Sequence, residues 1–434
     1  MTGKVLPIPL IGFSPVDTGI LDLHFGSLEV SCIQGGLIQP NSHYREGSAT
    51  LDLGDGFFRA DSRPSRDLSV LLAALQYQSS ANATSPLRWL DLMAGCGIRS
   101  LRWGLESVLS TATHSAGLLP PEIWVNDADP DRAELLNRNL EPLRLKGGSI
   151  QLANEPAEAL LCRAHYEGLF FDLIDLDGFG CPNALLQPVL NVLANEGVLL
   201  LASSDGRSPT GHDRCGAIRR LAAAARTHPA SWEVALRLQM AALARHAWVL
   251  GRGLEPLACF SDGRTFRLAV RLKSRLAEEE ERLLGLLARC DACGDQAIQP
   301  LLSLQGWPSC HCSPGYGRWA VSGPLWLGRL QSAEVLGALL QLEEKLPLTM
   351  SPVSFRLLQR LKADVGLPVC CWSINELAKR LALSGPPPVS ALVEALRSAG
   401  HQACGSALMA GQLRSDVPFA ELLSVCQSIH RAGR

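Results

Sequence analysis

Apolar and polar positions along residues 67–203 predict one helix and then a repeating strand–helix pattern. The helix is predicted to begin at Asp67, and its buried side carries Leu68, Val70, Leu71, Leu72 and Leu75. Apolar strands follow, separated by helical patterns: R-W-L-D-L-M, E-I-W-V-N-D, S-I-Q-L-A-N, L-F-F-D-L-I-D-L-D and G-V-L-L-L-A-S-S-D. Strands that alternate with helices predict a parallel sheet covered on both faces.

The segments on either side of this pattern predict smaller elements. Residues 21–60 contain three short strand patterns, L-E-V-S-C-I, A-T-L-D-L and F-F-R-A. Residues 214–250 predict helices, and the composition changes beyond about residue 272. A helix is predicted next, at E-E-E-E-R-L-L-G-L-L. We therefore predict two domains, 1–272 and 273–434.

Three short helical patterns lie in the second predicted domain. They are S-F-R-L-L-Q-R-L-K, S-I-N-E-L-A-K-R-L-A-L and V-S-A-L-V-E-A-L-R-S-A-G. Ser373 is predicted to cap the second of them, because serine accepts hydrogen bonds from the free N–H groups of a first helical turn. Three such helices in succession are typical of a winged-helix module.

Composition indicates the class of protein and the cellular compartment. The chain has 434 residues, of which 47% are hydrophobic and 19% charged, as in a globular enzyme of two or three domains. It has no run of eighteen apolar residues, so no membrane span is predicted. The N-terminal residues do not resemble a signal peptide, and the 14 cysteines lack the regular spacing of a secreted disulfide framework. We predict a cytoplasmic protein.

The charge pattern is uneven. The formal net charge is −2, which does not favour a nucleic-acid partner. Residues 205–275, however, contain 13 Arg or Lys and 5 Asp or Glu, a local charge of 13 − 5 = +8. This stretch either contacts phosphates or forms solvated helix faces.

The first strand of the repeating pattern runs into a glycine turn, D-L-M-A-G-C-G. Asp91 ends the strand, and Gly95 and Gly97 permit a tight turn that a ligand can approach closely, just before a helix begins. The turn either holds a nucleotide-like ligand or only packs the strand on the helix. Asp127, at the end of the next strand, can accept ribose hydroxyls or cap the following helix.

The fourth strand, D-L-I-D-L-D-G-F-G, carries the strongest chemical signal. Asp172, Asp175 and Asp177 are costly at the end of a buried strand unless they are paired or used. A carboxylate followed by an aromatic ring can hold a planar amine: Asp177 would accept its N–H while Phe179 stacks on the base. We predict that Asp177 is catalytic, and Asp172 and Asp175 either share this site or cap turns.

Four cysteines have the spacing of metal ligands. Cys290 and Cys293 are separated by two residues, and Cys310 and Cys312 by one, with 16 residues between the pairs. Tetrahedral zinc takes four thiolates from two such knuckles. The cluster predicts a structural zinc site, and the alternative is four reduced cysteines without a ligand.

Taken together, these motifs make the chain resemble the tRNA (guanine-26-N2) dimethyltransferase family, whose members use S-adenosylmethionine. The likeness extends over about residues 45–430. Four segments match in order: Glu46-Gly47 with S-R-D-L-S-V (65–70), D-L-M-A-G-C-G-I-R (91–99), D-L-D-G-F-G (175–180), and G-P-L-W-L-G (323–328). The chain has Ser65 where the family has asparagine and Gly178 where it has proline.

The resemblance implies a fold and a set of roles. The fold would be α/β: a Rossmann-like class I methyltransferase sheet in 1–272, and a C-terminal α+β domain in 273–434 that binds tRNA. Cofactor contacts would come from Arg66, Asp91, Gly95, Gly97, Arg99, Asp127, Glu155 and Ala157, and catalysis from Asp177 and Phe179. Arg66 and Arg99 would lie near the methionine carboxylate, Asp127 at the ribose, and Glu155 and Ala157 at the adenine.

The C-terminal segment departs most from the family pattern, and there Arg414 is predicted to contact phosphate. No membrane and no obligate protein partner are predicted.

The reaction implied is transfer of one or two methyl groups to the exocyclic N2 of guanine 26, with the base flipped out of the tRNA. One alternative is an S-adenosylmethionine-dependent amino-methyltransferase acting on rRNA, DNA adenine or protein. The other is a non-catalytic RNA-binding protein with a decayed fold. Because Asp91, Asp127 and Asp177 are all present, the sequence favours an active enzyme.

Overall fold

Strands and helices alternate along the chain, as the apolar pattern predicts. A computed structural model describes residues 43–80, 83–108, 118–310, 312, 317–345 and 350–432. The strands are β1 (His43–Glu46), β2 (Ala49–Asp52), β3 (Arg88–Asp91), β4 (Glu122–Asn126), β5 (Ser149–Ala153), β6 (Phe171–Leu176), β7 (Leu193–Ser203), β8 (Gly253–Ser261), β9 (Phe266–Lys273), β10 (Leu284–Cys290), β11 (Gln296–Pro300), β12 (Trp319–Trp326), β13 (Cys371–Ser373), β14 (Ala403–Gly405) and β15 (Gln412–Ser415).

The helices of the described ranges cover both faces of the central sheet and build most of the C-terminal part. They are α1 (Arg63–Ser79), α2 (Ile98–Arg102), α3 (Arg132–Leu145), α4 (Ala157–Tyr166), α5 (Leu186–Val192), α6 (Arg214–Leu221), α7 (Ser231–Val249), α8 (Ala333–Glu343), α9 (Pro352–Ala363), α10 (Ile374–Arg380), α11 (Val389–Ser398) and α12 (Phe419–Ala432). Within the described residues, none of them is long and apolar enough to cross a membrane.

The central sheet has seven strands in the order β5-β4-β3-β6-β7-β9-β8. Strands β3 to β7 run parallel to one another, β9 pairs antiparallel with β7, and β8 pairs antiparallel with β9 and so runs in the same direction as β3 to β7. The strands that follow β3 are added first on one side of it (β4, β5) and then on the other (β6, β7). Folds of the α/β class bind ligands at such a switch point, beyond the carboxyl ends of the strands. The Rossmann-like class I sheet that the sequence predicts is therefore confirmed.

Strand register sets the position of the acidic residues. Asp91 pairs with Asp175 across β3 and β6, so both strands end at the same level of the sheet. Asp177 follows two residues later, just beyond the sheet edge. The helix predicted from Asp67 begins earlier, at Arg63, because Pro64 fits the first helical turn, where its missing N–H leaves no hydrogen bond unmade.

Two predicted elements are wrong and one lies outside the described residues. The E-E-E-E-R-L-L-G-L-L segment forms a short 3-10 turn and then strand β10, because Leu284–Cys290 pairs on both edges with β11 and β12. The F-F-R-A segment is a loop and not a strand, although A-T-L-D-L does supply β2. The L-E-V-S-C-I pattern at 28–33 is not among the described residues.

Two smaller sheets follow the central one. Strand β10 lies between β11 and β12, and β15 lies between β13 and β14. The order α9, β13, α10, α11, β14, β15 is that of a winged helix, and the three predicted helices are present. Ser373 precedes α10 but makes no side-chain capping bond. The main apolar core continues beyond residue 272 into β12, α8 and α9, and the predicted domain boundary stays a prediction.

A buried ion-pair cluster fixes the last sheet to helix α7. The side chain of Arg414, on β15, is inaccessible to solvent, and its Nε lies 2.8 Å from Asp364 Oδ1. Its two terminal nitrogens donate to both oxygens of Glu233, Nη1 at 2.7 Å. The predicted phosphate contact of Arg414 is therefore wrong, because its guanidinium is already paired on all sides. Arg237 from the basic stretch is buried as well and donates to three backbone carbonyls.

This cluster generates a stability prediction. Removing one partner of a buried pair leaves uncompensated charge, so Arg414→Ala should lower the free energy of unfolding by about 3–5 kcal/mol. The matched control is Arg282→Ala, which breaks an exposed pair with Glu279 and should change it by less than about 1 kcal/mol. Urea unfolding followed by circular dichroism measures both. Equal losses in the two variants would show that the cluster does not hold the C-terminal part in place.

Candidate active site

A cleft opens at the carboxyl ends of β3, β4 and β6. Its volume is about 780 Å³, which lies within the roughly 300–1,000 Å³ of a small-molecule pocket. Gly95 and Asp177 line the same cleft, so the turns after the first and fourth strands of the parallel pattern converge. The predicted site residues that line it are Arg66, Asp91, Gly95, Arg99, Asp127, Ala157, Asp177 and Phe179.

The two glycines of the turn have different tasks. Gly95 has φ +57°, and a Cβ there would meet no atom within 4 Å, so its backbone borders open space. Its N–H donates to Asp127 Oδ2 at 2.8 Å. Gly97 has φ +77°, and a Cβ there would lie 2.9 Å from Leu136 on α3. Gly97 is thus a packing residue and is not among the described residues that line the cleft.

Asp127 organises the turn rather than the following helix. Its Oδ2 accepts from Gly95 and its Oδ1 from the N–H of Asp129 at 3.0 Å. The residue that precedes α3 is Asp131, so Asp127 does not cap that helix. Each carboxylate oxygen can accept a second hydrogen bond, which leaves Asp127 able to accept from ribose hydroxyls at the cleft.

Two predicted cofactor residues, Asp91 and Arg66, use most of their hydrogen-bonding groups within the protein. Asp91 is buried and accepts from Ser100 Oγ at 2.7 Å, and its burial raises its pKa. Arg66 forms a bidentate pair with Glu46 (Nε to Oε1 2.8 Å, Nη2 to Oε2 2.6 Å) and also donates to the carbonyls of Arg59 and Ala60. One of the five N–H groups of Arg66 remains for a ligand.

The carboxylate of Asp177 is held through one oxygen. Arg99 Nη2 lies 2.7 Å from its Oδ2, and Arg267 Nη1 lies 2.6 Å from the same atom. Within the described part of the chain no donor contacts Oδ1. Burial alone would raise the pKa of Asp177, but the two guanidinium groups hold it below its ordinary value. Asp177 is therefore an anion with one oxygen free to accept a proton or a hydrogen bond.

Asp175 lies behind this pair and has a different charge state. Burial, together with the neighbouring carboxylates Asp177 and Asp91, raises the pKa of Asp175 to about 8, although Arg99 opposes the shift. Arg99 Nη1 lies 2.9 Å from Asp175 Oδ2. The guanidinium of Arg99, predicted to meet the cofactor, thus bridges two aspartates. Asp172 is separate from this group and accepts from the backbone N–H of Arg88.

Two exposed aromatic rings stand at the mouth of the cleft. Phe179 is 79% exposed and Phe57 68% exposed, and their ring centroids lie 5.2 Å apart in an edge-to-face arrangement. Large apolar side chains held in water are typical of ligand-binding surfaces. The sequence reasoning missed Phe57, because it assigned F-F-R-A to a strand.

The glycine that replaces the family's proline has a local reason. A Cβ on Gly178 would lie 2.5 Å from Met93 Sδ. The methionine of the D-L-M-A turn therefore occupies the space next to residue 178, and the two positions fit each other.

The lining of the cleft differs from the prediction at several residues. Glu155 was expected at the adenine, but its carboxylate pairs with Arg163 at 2.5 Å and it is not among the described lining residues. Glu158, which was not predicted, does line the cleft. Arg59, Arg264 and Arg267 also line the cleft. The signal for Arg267 was an arginine near the start of the apolar strand F-R-L-A-V-R-L-K.

Comparison with known proteins agrees with this site. The family model described as N2,N2-dimethylguanosine tRNA methyltransferase matches residues 49–427. The chain belongs to this family. The sequence resemblance is thereby confirmed.

Relatives and a solved structure cover nearly the same length. The tRNA (guanine(26)-N(2))-dimethyltransferase of Methanosphaerula palustris is 28% identical and that of Pyrococcus abyssi 24%, covering 88% and 84% of this chain and 92% and 90% of the relatives. The structure of Trm1 from Pyrococcus horikoshii in complex with S-adenosyl-L-methionine aligns with a TM-score of 0.71 and 22% identity, over 88% of this chain and 99% of that one. This likeness shows that the methyltransferase fold is shared.

The cysteine cluster has the geometry of a metal site. The Sγ atoms of Cys290, Cys293, Cys310 and Cys312 all lie within 4.8 Å of one another, and Cys290 Sγ lies 3.7 Å from those of Cys310 and Cys312. Four thiolates around tetrahedral zinc, with Zn–S near 2.3 Å, stand roughly 3.8 Å apart. A Cβ on Gly317 would lie 2.5 Å from Cys290 Sγ, so the chain packs tightly over the sulfurs. The four residues fit zinc.

The cluster predicts a measurable metal content. We expect one zinc per chain in the purified protein and its loss in Cys293→Ser, with a lower thermal midpoint because metal binding and folding are coupled. Cys162→Ser, an exposed cysteine outside the cluster, is the control and should keep its zinc. Elemental analysis and thermal unfolding measure both. Wild-type protein from zinc-supplemented medium that contains no metal would favour four free thiols.

Proposed function

We propose that this chain transfers one or two methyl groups from S-adenosylmethionine to the exocyclic N2 of guanine 26 in tRNA. Membership of the N2,N2-dimethylguanosine tRNA methyltransferase family favours this substrate over rRNA, DNA adenine or protein. The observation that carries the proposal is the Asp177 carboxylate, anionic and with Oδ1 unengaged among the described residues, beside the exposed ring of Phe179. Because the proposed substrate is tRNA, we also propose a cytoplasmic location.

The cofactor fits the side of the cleft formed by the glycine turn. The open space beside Gly95 admits a ligand close to the backbone, and Asp127 can accept from ribose hydroxyls. Ala157 lines the same cleft and would contact the adenine. Arg66 retains one N–H, and Arg59 has no carboxylate partner among the described residues, so these two cations are placed to meet the methionine carboxylate. The bound cofactor supplies an electrophilic methyl group on a sulfonium.

The target base fits the opposite side. A guanine flipped out of the tRNA would lie against Phe179 and Phe57, with its N2 directed at Asp177. Guanine N2 is a poor nucleophile because its lone pair is delocalised into the ring. A hydrogen bond from N2–H to Asp177 Oδ1 orients the amino group and favours a lone pair directed at the methyl carbon.

Proton transfer completes the reaction. As the N2–CH₃ bond forms, the S–CH₃ bond breaks with its electron pair remaining on sulfur, and N2 releases a proton that Asp177 Oδ1 can accept. Arg99 and Arg267 stay on Oδ2 throughout, so the acceptor oxygen does not have to move. Positioning of this kind, with a fixed proton acceptor, supplies most of the rate enhancement that such a displacement needs.

The first test identifies the product. Incubated with labelled S-adenosylmethionine and tRNA, the wild-type protein should form N2-methylguanosine and N2,N2-dimethylguanosine at position 26, and a tRNA with adenine there should stay unlabelled. Asp177→Ala should reduce kcat by about 10²- to 10⁴-fold, since a proton acceptor in the transition state contributes this much. Cofactor affinity measured by calorimetry should change little. Label in rRNA, DNA or protein alone would contradict the proposal, as would loss of cofactor binding in the variant.

The second test concerns the charge of Asp177. Arg267→Gln removes one cause that lowers the pKa of Asp177 while its burial remains, so that pKa should rise. Because the reaction needs the carboxylate, the fall of kcat on the acid side should move to higher pH, and activity should recover in alkaline buffer. Arg267→Lys should restore part of the activity.

The matched control for this test is Arg271→Gln. Arg271 lies on the same strand, pairs with Glu255 at 2.8 Å and is not among the described residues that line the cleft. Its pH profile should match the wild type. An unshifted profile in Arg267→Gln would show that Arg267 does not control the charge of Asp177.

A further inference from the structure

A second groove lies on the other side of the loop that carries Phe179. It has a volume of about 1060 Å³ with its open side included, and it is lined by Gly180, Cys181, Asn183, Asp205, Arg219 and Arg220, among others. We call it the arginine groove. None of its lining residues belongs to the cofactor or base side of the cleft.

One hydrogen-bonded wall separates the arginine groove from the methyl-transfer cleft. Gly180 N–H donates to Ser204 Oγ at 2.7 Å, and the N–H groups of Ser204 and Asp205 donate to the Gly180 carbonyl at 2.9 and 3.2 Å. Phe179 and Ser204 line the cleft, whereas the next residues, Gly180 and Asp205, line the groove. A nucleic-acid strand that crosses this wall would therefore place one nucleotide in the cleft and the adjoining nucleotide in the groove.

The arginine groove is lined by two arginines, one of which has no carboxylate partner among the described residues. Arg220 is neutralised, since its Nη1 lies 3.0 Å from Asp205 Oδ2 and 3.8 Å from Asp213 Oδ2. Arg219 is exposed and has no carboxylate partner within the described ranges. Arg207 and Arg214 are exposed in the same way on the adjoining loop and at the start of α6. The groove therefore presents an excess of positive charge.

Two of the polar side chains that could read a base, Asn183 and Asp205, are already engaged, and a third, His246, has its Nδ1 3.3 Å from Gln187 Oε1. Asn183 donates to the Arg220 carbonyl and accepts from Gln239. Asp205 accepts from two backbone N–H groups and from Arg220. Guanidinium groups are what remains for a ligand, and they suit the two oxygens of a phosphate.

We propose that the arginine groove binds the nucleotide that adjoins the target guanosine, with its phosphate on Arg219. This proposal rests on the proposed function, because it takes the guanosine to be in the cleft. Charge complementarity and continuity with the cleft favour an RNA backbone as the occupant. The proposed contact is independent of sequence, since it is made to a phosphate and not to a base edge.

Charge reversal tests the groove. Arg219→Glu should raise KM for tRNA roughly tenfold to a hundredfold, the range expected for loss of a charge-assisted hydrogen bond. It should leave cofactor affinity and kcat at saturating tRNA close to wild type, and reduce the slope of log(kcat/KM) against log[salt] by about one. The control is Arg138→Glu, an exposed arginine of α3 paired only with Glu134 among the described residues. If Arg219→Glu behaves as Arg138→Glu does, the groove does not bind the backbone.

A modified substrate separates the possible causes. Binding of a tRNA with a neutral methylphosphonate in place of the phosphate flanking guanine 26 should be weaker for the wild type by as much as Arg219→Gln weakens binding of the normal tRNA, and no weaker still for that variant. A loss that depends on the identity of the flanking base would instead indicate base reading and overturn the proposal.

Failure of the proposed function gives a different result from failure of the groove. If the wild type forms no N2-methylguanosine, the function fails. Direct binding of tRNA by wild type and Arg219→Glu then still decides whether the groove holds RNA, with equal affinities overturning it.

Discussion

The site depends on one carboxylate oxygen shared by two arginines. Oδ2 of Asp177 receives Arg99 from α2 and Arg267 from β9, elements far apart in the sequence that meet only when the sheet is complete. The partial burial of Asp177 by itself favours the neutral carboxyl group, and the two cations offset that effect. Because both arginines contact Oδ2, Oδ1 remains available to a ligand, and the charge and direction of this carboxylate are set before any ligand binds.

A second buried network extends from the cleft to the C-terminal part. Glu46 pairs with Arg66 at the cleft and with Arg102 behind it, and Arg102 also pairs with Asp67 at 2.7 Å. The other oxygen of Asp67 accepts from the N–H of Ser351 and the hydroxyl of Ser354, at the start of α9. The E-G and R-D segments of the sequence are thus structural: they join Arg66 of the cleft and the start of α9 in one hydrogen-bonded network.

The sequence predicted the sheet and the position of the aspartates at the carboxyl ends of its strands, because apolar runs and strand ends are local features. It did not predict the partners of those residues. Arg99 was assigned to the cofactor and Arg414 to phosphate, yet each is paired with two carboxylates that no local pattern connects to it. Phe57 was hidden in an apolar F-F pair that reads as a strand. Pairings over long separations depend on packing, which one sequence does not reveal.

The one-oxygen arrangement also bears on how many methyl groups can be added. Guanine N2 carries two hydrogens before the first transfer and one after it, so a single acceptor, Asp177 Oδ1, can serve both steps if the remaining N–H rotates toward it. The first methyl group must then occupy the position that the remaining hydrogen held before this rotation. Phe57 and Phe179 are largely exposed and line a cleft of about 780 Å³. Dimethylation therefore requires no second acceptor, only retention of the base against the same ring.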